Sequence, residues 1–329
     1  MTILWNPENT EQTHLFQFMK QVQSKYNPAI HDWSSLYQWS VEHTGEFWQS
    51  FLEFSGLVYE GKSDPAVVSA DRFQDTKFFP DLRINMAENL LRHSIDDVQS
   101  GRGDRVRLIS YREDGLEHLI TSKEILTTVR QLQRAMTSAG VVQGDRVAAY
   151  MPNTAETICI MMAALSIGAV FSSSSPDFGA DAVLARFQQI QPKLLFAAGQ
   201  VLYRGRIIDK KDELHQIQTG LPDLKQTVVI PLATNASLTE SFGEFTKPYT
   251  SDTSLPEFLP LPFSHPVYIM YSSGTTGLPK CMVQGAGVLL NHLKELLLHT
   301  DLKADERIFY FTTCGWMMWN WLASSLATG

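Results

Sequence analysis

Cysteine is scarce: Cys159, Cys281 and Cys314 are the only three in 329 residues. The count is odd, the spacings are wide and no Cys-x-x-Cys occurs, so a disulfide framework and a cysteine-built zinc site are excluded. Three isolated thiols fit a reducing compartment, and the expectation is a soluble cytoplasmic protein. Blocks of positive charge are also lacking. With 27 Lys+Arg against 35 Asp+Glu, the formal net charge is −8. Clustered cations are what phosphate backbones require, so nucleic acid is not an expected partner. Long apolar runs are absent too. The longest, from Ile158 to Phe171, spans 14 residues and is interrupted by Ser166. It is too short for a bilayer and suits a buried helix, so no membrane partner is expected. The first dozen residues lack the basic and apolar regions of a secretory signal. No internal repeat or low-complexity tract is visible.

An apolar fraction of 44% with 19% charged residues is ordinary for a globular chain. The length corresponds to about two domains. Residues 1–95 read as an aromatic-rich N-terminal extension. Leu36, Trp39 and His43 share one helical face, and Phe47, Phe51 and Phe54 share another. Two readings fit this stripe: packing onto the main body, or a stack for a ligand.

From about residue 105 strands and helices alternate. Val106–Tyr111 and Leu116–Thr121 flank Asp114-Gly115, a hairpin signal. A helix starts at Thr121, with Glu124 completing a capping box, and stops at Gly140. Strands are expected at Arg146–Met151, Ala169–Ser172, Lys193–Ala197 and Thr227–Leu232. Helices are expected at Thr154–Ile167, Ala180–Ile190 and Asp209–Gln218. The fold class is therefore α/β, a parallel doubly wound sheet with helices on both faces. Residues 233–265 read as an exposed connection. Strands at Val267–Tyr271, Cys281–Gln284 and Arg307–Thr313 follow, with helices at Val288–His299 and Trp316–Leu326.

The segment Tyr271-Ser-Ser-Gly-Thr-Thr-Gly-Leu-Pro-Lys280 carries the chemistry. Glycines let backbone N–H groups turn toward an anion, hydroxyls add donors, and Lys280 adds a point charge. It is not a Walker A loop, because Gly274 and Gly277 are three apart and Lys280 follows Pro279. A polyphosphate cradle and a plain hairpin turn both fit.

Ser272 to Lys280 resembles the phosphate-loop signature of the acyl-adenylate-forming enzymes. Within that superfamily, Tyr37–His43 with Glu46–Trp48, and Phe78–Pro80 with Asn85–Leu91, resemble the N-terminal extension and entry segment of the acetyl-CoA-synthetase branch. Lys280–Gln284 and Gly315–Trp321 look specifically like the acetoacetate–CoA ligases. The resemblance covers nearly the whole chain and implies two steps. ATP and a carboxylate form an acyl-adenylate and pyrophosphate, and CoA then displaces AMP. It implies ATP, Mg²⁺ and CoA. It assigns pyrophosphate binding to Ser272, Ser273, Gly274, Thr275, Thr276, Gly277 and Lys280. It makes Trp316, Met317 and Met318 a wall of the acyl pocket, although a helix of that composition also fits a core. Apolar walls do not by themselves recognise a keto oxygen. It places the CoA nucleotide at Phe171 and Arg206. Ser172 and Ser173 stand where the family has glycines, and a solvated Arg206 fits the residues as well.

The family's adenine- and ribose-binding segments, hinge and small C-terminal domain, with its catalytic lysine, are not found before Gly329. Lys280 is not that lysine. The expectation is that residues 96–329 form a partial adenylation domain, and that the chain alone is inactive and associates with itself or with a complementing C-terminal portion. Two alternatives stand: an inactive or split-gene binding half, and a ligase for another short carboxylic acid.

Overall fold

The computed structural model describes residues 9–231, 238, 240–272 and 277–329. The N-terminal stretch forms α1 (His14–Lys25), α2 (Trp33–Glu42) and α3 (Thr44–Ser55). The buried ring of Phe18 meets Phe47, Phe51 and Phe54 edge-on, with centroids 5.4–5.8 Å apart. The phenylalanine stripe of α3 is therefore core. Trp33 and Tyr37 stack on each other at the exposed surface of α2.

Short strands follow: β1 (Glu60–Gly61), β2 (Val67–Val68), β3 (Lys77–Phe78) and β4 (Leu82–Ile84). α4 (Met86–Gln99) comes next. Asn85 caps it by accepting from the N–H groups of Ala87 and Glu88. β5 (Val106–Tyr111) and β6 (Glu117–Thr121) form the expected hairpin, and Gly115 takes the left-handed conformation its turn requires. α5 (Ser122–Ser138) carries the Thr121/Glu124 capping box.

The central layer is built from β7 (Arg146–Tyr150), α6 (Ala155–Ser166), β8 (Val170–Ser174), α7 (Ala180–Phe187) and β9 (Leu194–Ala198). A hairpin of β10 (Gln200–Tyr203) and β11 (Arg206–Asp209) precedes α8 (Lys211–Thr219) and β12 (Gln226–Ile230). β13 (Leu261–Pro262) joins β1 and β4 in a small sheet. β14 (Pro266–Tyr271) and β15 (Cys281–Gly285) complete the main sheet, in order β12-β9-β7-β8-β14-β15. Five strands run parallel and β15 is antiparallel. β9, and β7 after Arg146, read as continuous apolar runs because both faces are covered. One core cluster includes residues of α4, α5 and α6, and the other includes residues of α7 and α8. α9 (Val288–Lys294) runs into a π-helical stretch, Glu295–His299, and α10 (Met317–Ala323) lies near the end of the chain.

The helix expected at 209–218 is observed as Lys211–Thr219, and the hairpin over residues 200–209 before it was not expected. Two expectations need correction. Residues 233–265 are not simply an exposed connection, because Phe242 and Phe245 pack edge-on against Phe196 and cover β9. Residues 307–313 have strand composition but join no ladder among the described residues, and Phe309 and Phe311 are 78% and 90% exposed. A strand needs a neighbour for its N–H and C=O groups, and none among the described residues lies beside this one.

Candidate functional site

The strand order places the site. β7 connects through α6 to β8, and the chain then crosses back past β7 to β9. The crossover changes sides between β7 and β8. In open α/β sheets that switch point leaves a crevice at the carboxyl ends of the strands.

The crevice holds the Gly315-Trp316 segment. Ser173 Oγ, near the end of β8, donates to the Cys314 carbonyl at 2.6 Å. The Cys314 thiol donates to the Met151 carbonyl just past β7. Burial pushes that thiol up to about 12, so it is a structural donor and not a nucleophile. Trp319 is 1% exposed, stacks on Phe171 at 6.1 Å and donates from Nε1 to Asn153 Oδ1 at 2.8 Å. The segment is thus fastened across β7 and β8. Trp316 and Met317 are exposed at the start of α10 and Met318 is half-buried, so this wall faces outward. Beneath it lies a cavity of about 10 Å³.

The glycine-rich loop leaves the carboxyl end of β14, next to β8. Ser272 N–H donates to the Lys280 carbonyl at 3.0 Å, and Lys280 N–H donates to Ser272 Oγ at 3.1 Å. These bonds close the base of the loop and leave the Ser272 hydroxyl proton to serve a ligand. Gly277 and Lys280 are exposed, and no ion pair involves Lys280 among the described residues. Ser273, Gly274, Thr275 and Thr276 lie outside the described residues.

Sequence reasoning missed the support beneath the loop. Arg186 of α7 lays its guanidinium over Phe178 at 4.6 Å and Tyr271 at 5.8 Å. Gln189, in the turn ending α7, donates to the Pro279 carbonyl at 2.8 Å and accepts from the Cys281 thiol. The two side chains grip opposite arms of the loop. Only the Gln-rich turn before Pro192 hinted at this, and no local pattern links it to residue 279.

The proposed CoA pair is not brought together. The Phe171 ring is 1% exposed and packs on Trp319, so its side chain has no face for a nucleotide, which corrects that expectation. Arg206 sits exposed on the β10–β11 hairpin and forms no ion pair with any described residue. Among the described residues no group of His, Cys, Asp and Glu could hold a metal ion. No helix among them is long and apolar enough to cross a membrane.

Comparison with known proteins bears on the same residues. The AMP-binding enzyme family matches residues 95–329. Acetoacetyl-CoA synthetase of Macaca fascicularis is 42% identical over 340 residues, covering 99% of this chain and 49% of its own. Acetoacetyl-coenzyme A synthetase of Rhizobium meliloti is 40% identical, covering 99% and 50%. The solved acetoacetyl-CoA synthetase from Streptomyces lividans superposes with a TM-score of 0.90 at 32% identity, over 100% of this chain and 50% of that one. The chain spans about half the length of these relatives. A doubly wound sheet, a serine- and glycine-rich loop at the carboxyl end of β14 and a match over residues 95–329 lead to one conclusion: the chain belongs to the AMP-binding enzyme family.

Proposed function

We propose that the chain belongs to an acetoacetate–CoA ligase, which activates acetoacetate with ATP, releases pyrophosphate and passes the acyl group to CoA. The observation that carries this reading is the gathering of the loop base, Ser272 and Lys280, and the Trp316 wall at the carboxyl ends of β7, β8 and β14. Ser272, Gly277 and Lys280, with Ser273 to Thr276 between them, would neutralise the departing pyrophosphate. Lys280 supplies charge without burial, since its partner is to be the phosphate itself. Mg²⁺ supplies further neutralisation when bound. Trp316, Met317 and Met318 would shape the acyl pocket and exclude water. Arg206 remains the group offered to a CoA phosphate.

The division into an extension, 1–95, and an adenylation portion, 96–329, belongs to this reading, as does a cytoplasmic location. Phe309, Phe311 and Trp316 support association of the isolated chain, because exposed aromatics gain by being covered. The test is acetoacetate-dependent exchange of labelled pyrophosphate into ATP, with acetate and propionate as competitors and Lys280→Ala as control. Exchange by the 329-residue chain shows an adenylation site complete within it or its oligomer. Exchange only after adding the C-terminal half of a relative assigns the missing groups to that half. No exchange in either case overturns the proposal.

A further inference from the structure

The turn that ends α7 reaches both arms of the glycine-rich loop. Gln189 N–H donates to the Arg186 carbonyl, so these two residues are neighbours on one helical face. On the entry arm, the Arg186 guanidinium lies over the Tyr271 ring. The Tyr271 hydroxyl donates to Ser172 Oγ at 3.0 Å, since the proton of that serine goes to the Ile269 carbonyl. On the exit arm, every polar atom of the Gln189 amide is committed. One N–H donates to the Ala185 carbonyl of α7 at 2.7 Å and the other to the Pro279 carbonyl at 2.8 Å, while the oxygen accepts from the Cys281 thiol. The bond to its own helix holds the side chain in place, and the exit arm is thereby fastened to α7.

Lys280 stands between the two residues that Gln189 holds. Its own N–H and C=O are both bonded to Ser272. The chain from Pro279 to Cys281 is therefore fixed from two sides, while the Lys280 side chain is exposed. A lysine is a point charge on a flexible stem, so the placement of its backbone decides which positions the ammonium reaches.

We propose that Gln189 is a positioning residue for pyrophosphate: by fastening Pro279 and Cys281 to α7, it sets where the Lys280 ammonium meets the anion. The inference rests on the pyrophosphate reading above and adds a residue from outside the loop. The Gln189 amide is fully committed, so it acts through Lys280 and not by touching the anion. A lysine held at its base gives up less freedom when it binds, which is the gain from preorganisation. Cutting the tie leaves the charge present and spreads it over more positions.

The test is titration of magnesium pyrophosphate with the folded 329-residue chain, followed by phosphorus NMR, for the unsubstituted chain, Gln189→Ala, Lys280→Ala and the double variant. Gln189→Ala should weaken binding about fivefold, and Lys280→Ala at least about tenfold. The double variant should lose no more than Lys280→Ala alone, because Gln189 has no effect without that lysine. The thermal midpoint of Gln189→Ala should move little, since the side chain is exposed. In the unsubstituted chain, pyrophosphate should slow the reaction of Cys281 with a thiol reagent, because an engaged Lys280 steadies the arm that carries it. Unchanged pyrophosphate binding in Gln189→Ala, losses that add in the double variant, or a Cys281 rate indifferent to pyrophosphate overturns the inference alone. Failure of the unsubstituted chain to bind pyrophosphate overturns the pyrophosphate reading as well.

Discussion

His292 offers the most direct quantitative test of the packing that holds the Trp316 wall. It lies in α9, 4% exposed, with Nδ1 2.9 Å from Ser324 Oγ. Ser324 Oγ donates to the Asn320 carbonyl, so Nδ1–H must donate to the hydroxyl oxygen. The imidazole is neutral in this arrangement. Burial lowers its pKa from 6.5 to about 4. Below pH 6.5 the unfolded chain takes up a proton that the folded chain refuses. Stability contributed by neutral His292 is complete above that pH and is lost as pH falls from 6.5 toward 4. At pH 5 the loss is about 2 kcal/mol, or about 3 °C in midpoint for a chain of this size. The assay is urea unfolding at about pH 7.5 and about pH 5, for the unsubstituted chain and for His292→Gln, which cannot titrate. The difference between the two proteins should shrink by about 2 kcal/mol on acidification. If both lose the same stability over that interval, the neutral buried imidazole is refuted.

Other sites give further tests. Asn85 caps α4 and also donates to the carbonyls of Leu165, Ser166 and Leu259, so Asn85→Ala should cost about 2–4 kcal/mol in chemical unfolding, well above a cap alone. Trp319→Ala removes a buried ring and leaves Asn153 Oδ1 unpaired; a loss of about 3–5 kcal/mol is expected, and less than about 2 would argue against the packing described. Of the three thiols only Cys281 is partly exposed, so a thiol reagent should label one cysteine rapidly in the folded chain and three after unfolding. Gln189→Ala should speed that single reaction several-fold by removing the amide oxygen that holds the Cys281 thiol; an unchanged rate would discount the clamp on the loop.

What could be read from residues alone was local. The Thr121/Glu124 capping box, the Asp114-Gly115 turn and the alternation of apolar strands with helices depend on neighbours within a few positions, and each appears where expected. The glycine-rich segment was equally legible, since its residue types carry their chemistry in a short stretch. Other features required the folded chain. Ser173, Met151 and Cys314 meet only because β7 and β8 are adjacent at the crossover reversal, and strand order is written in no single strand. Phe171 looked available until Trp319, far along the chain, covered it. Residues 307–313 have the composition of a strand but no ladder partner among the described residues. Sequence determined which segments could turn and cap, and which residue types suit a phosphate. The tertiary structure decided which atoms met and which were left without partners, because burial and hydrogen bonding between distant segments depend on the whole chain.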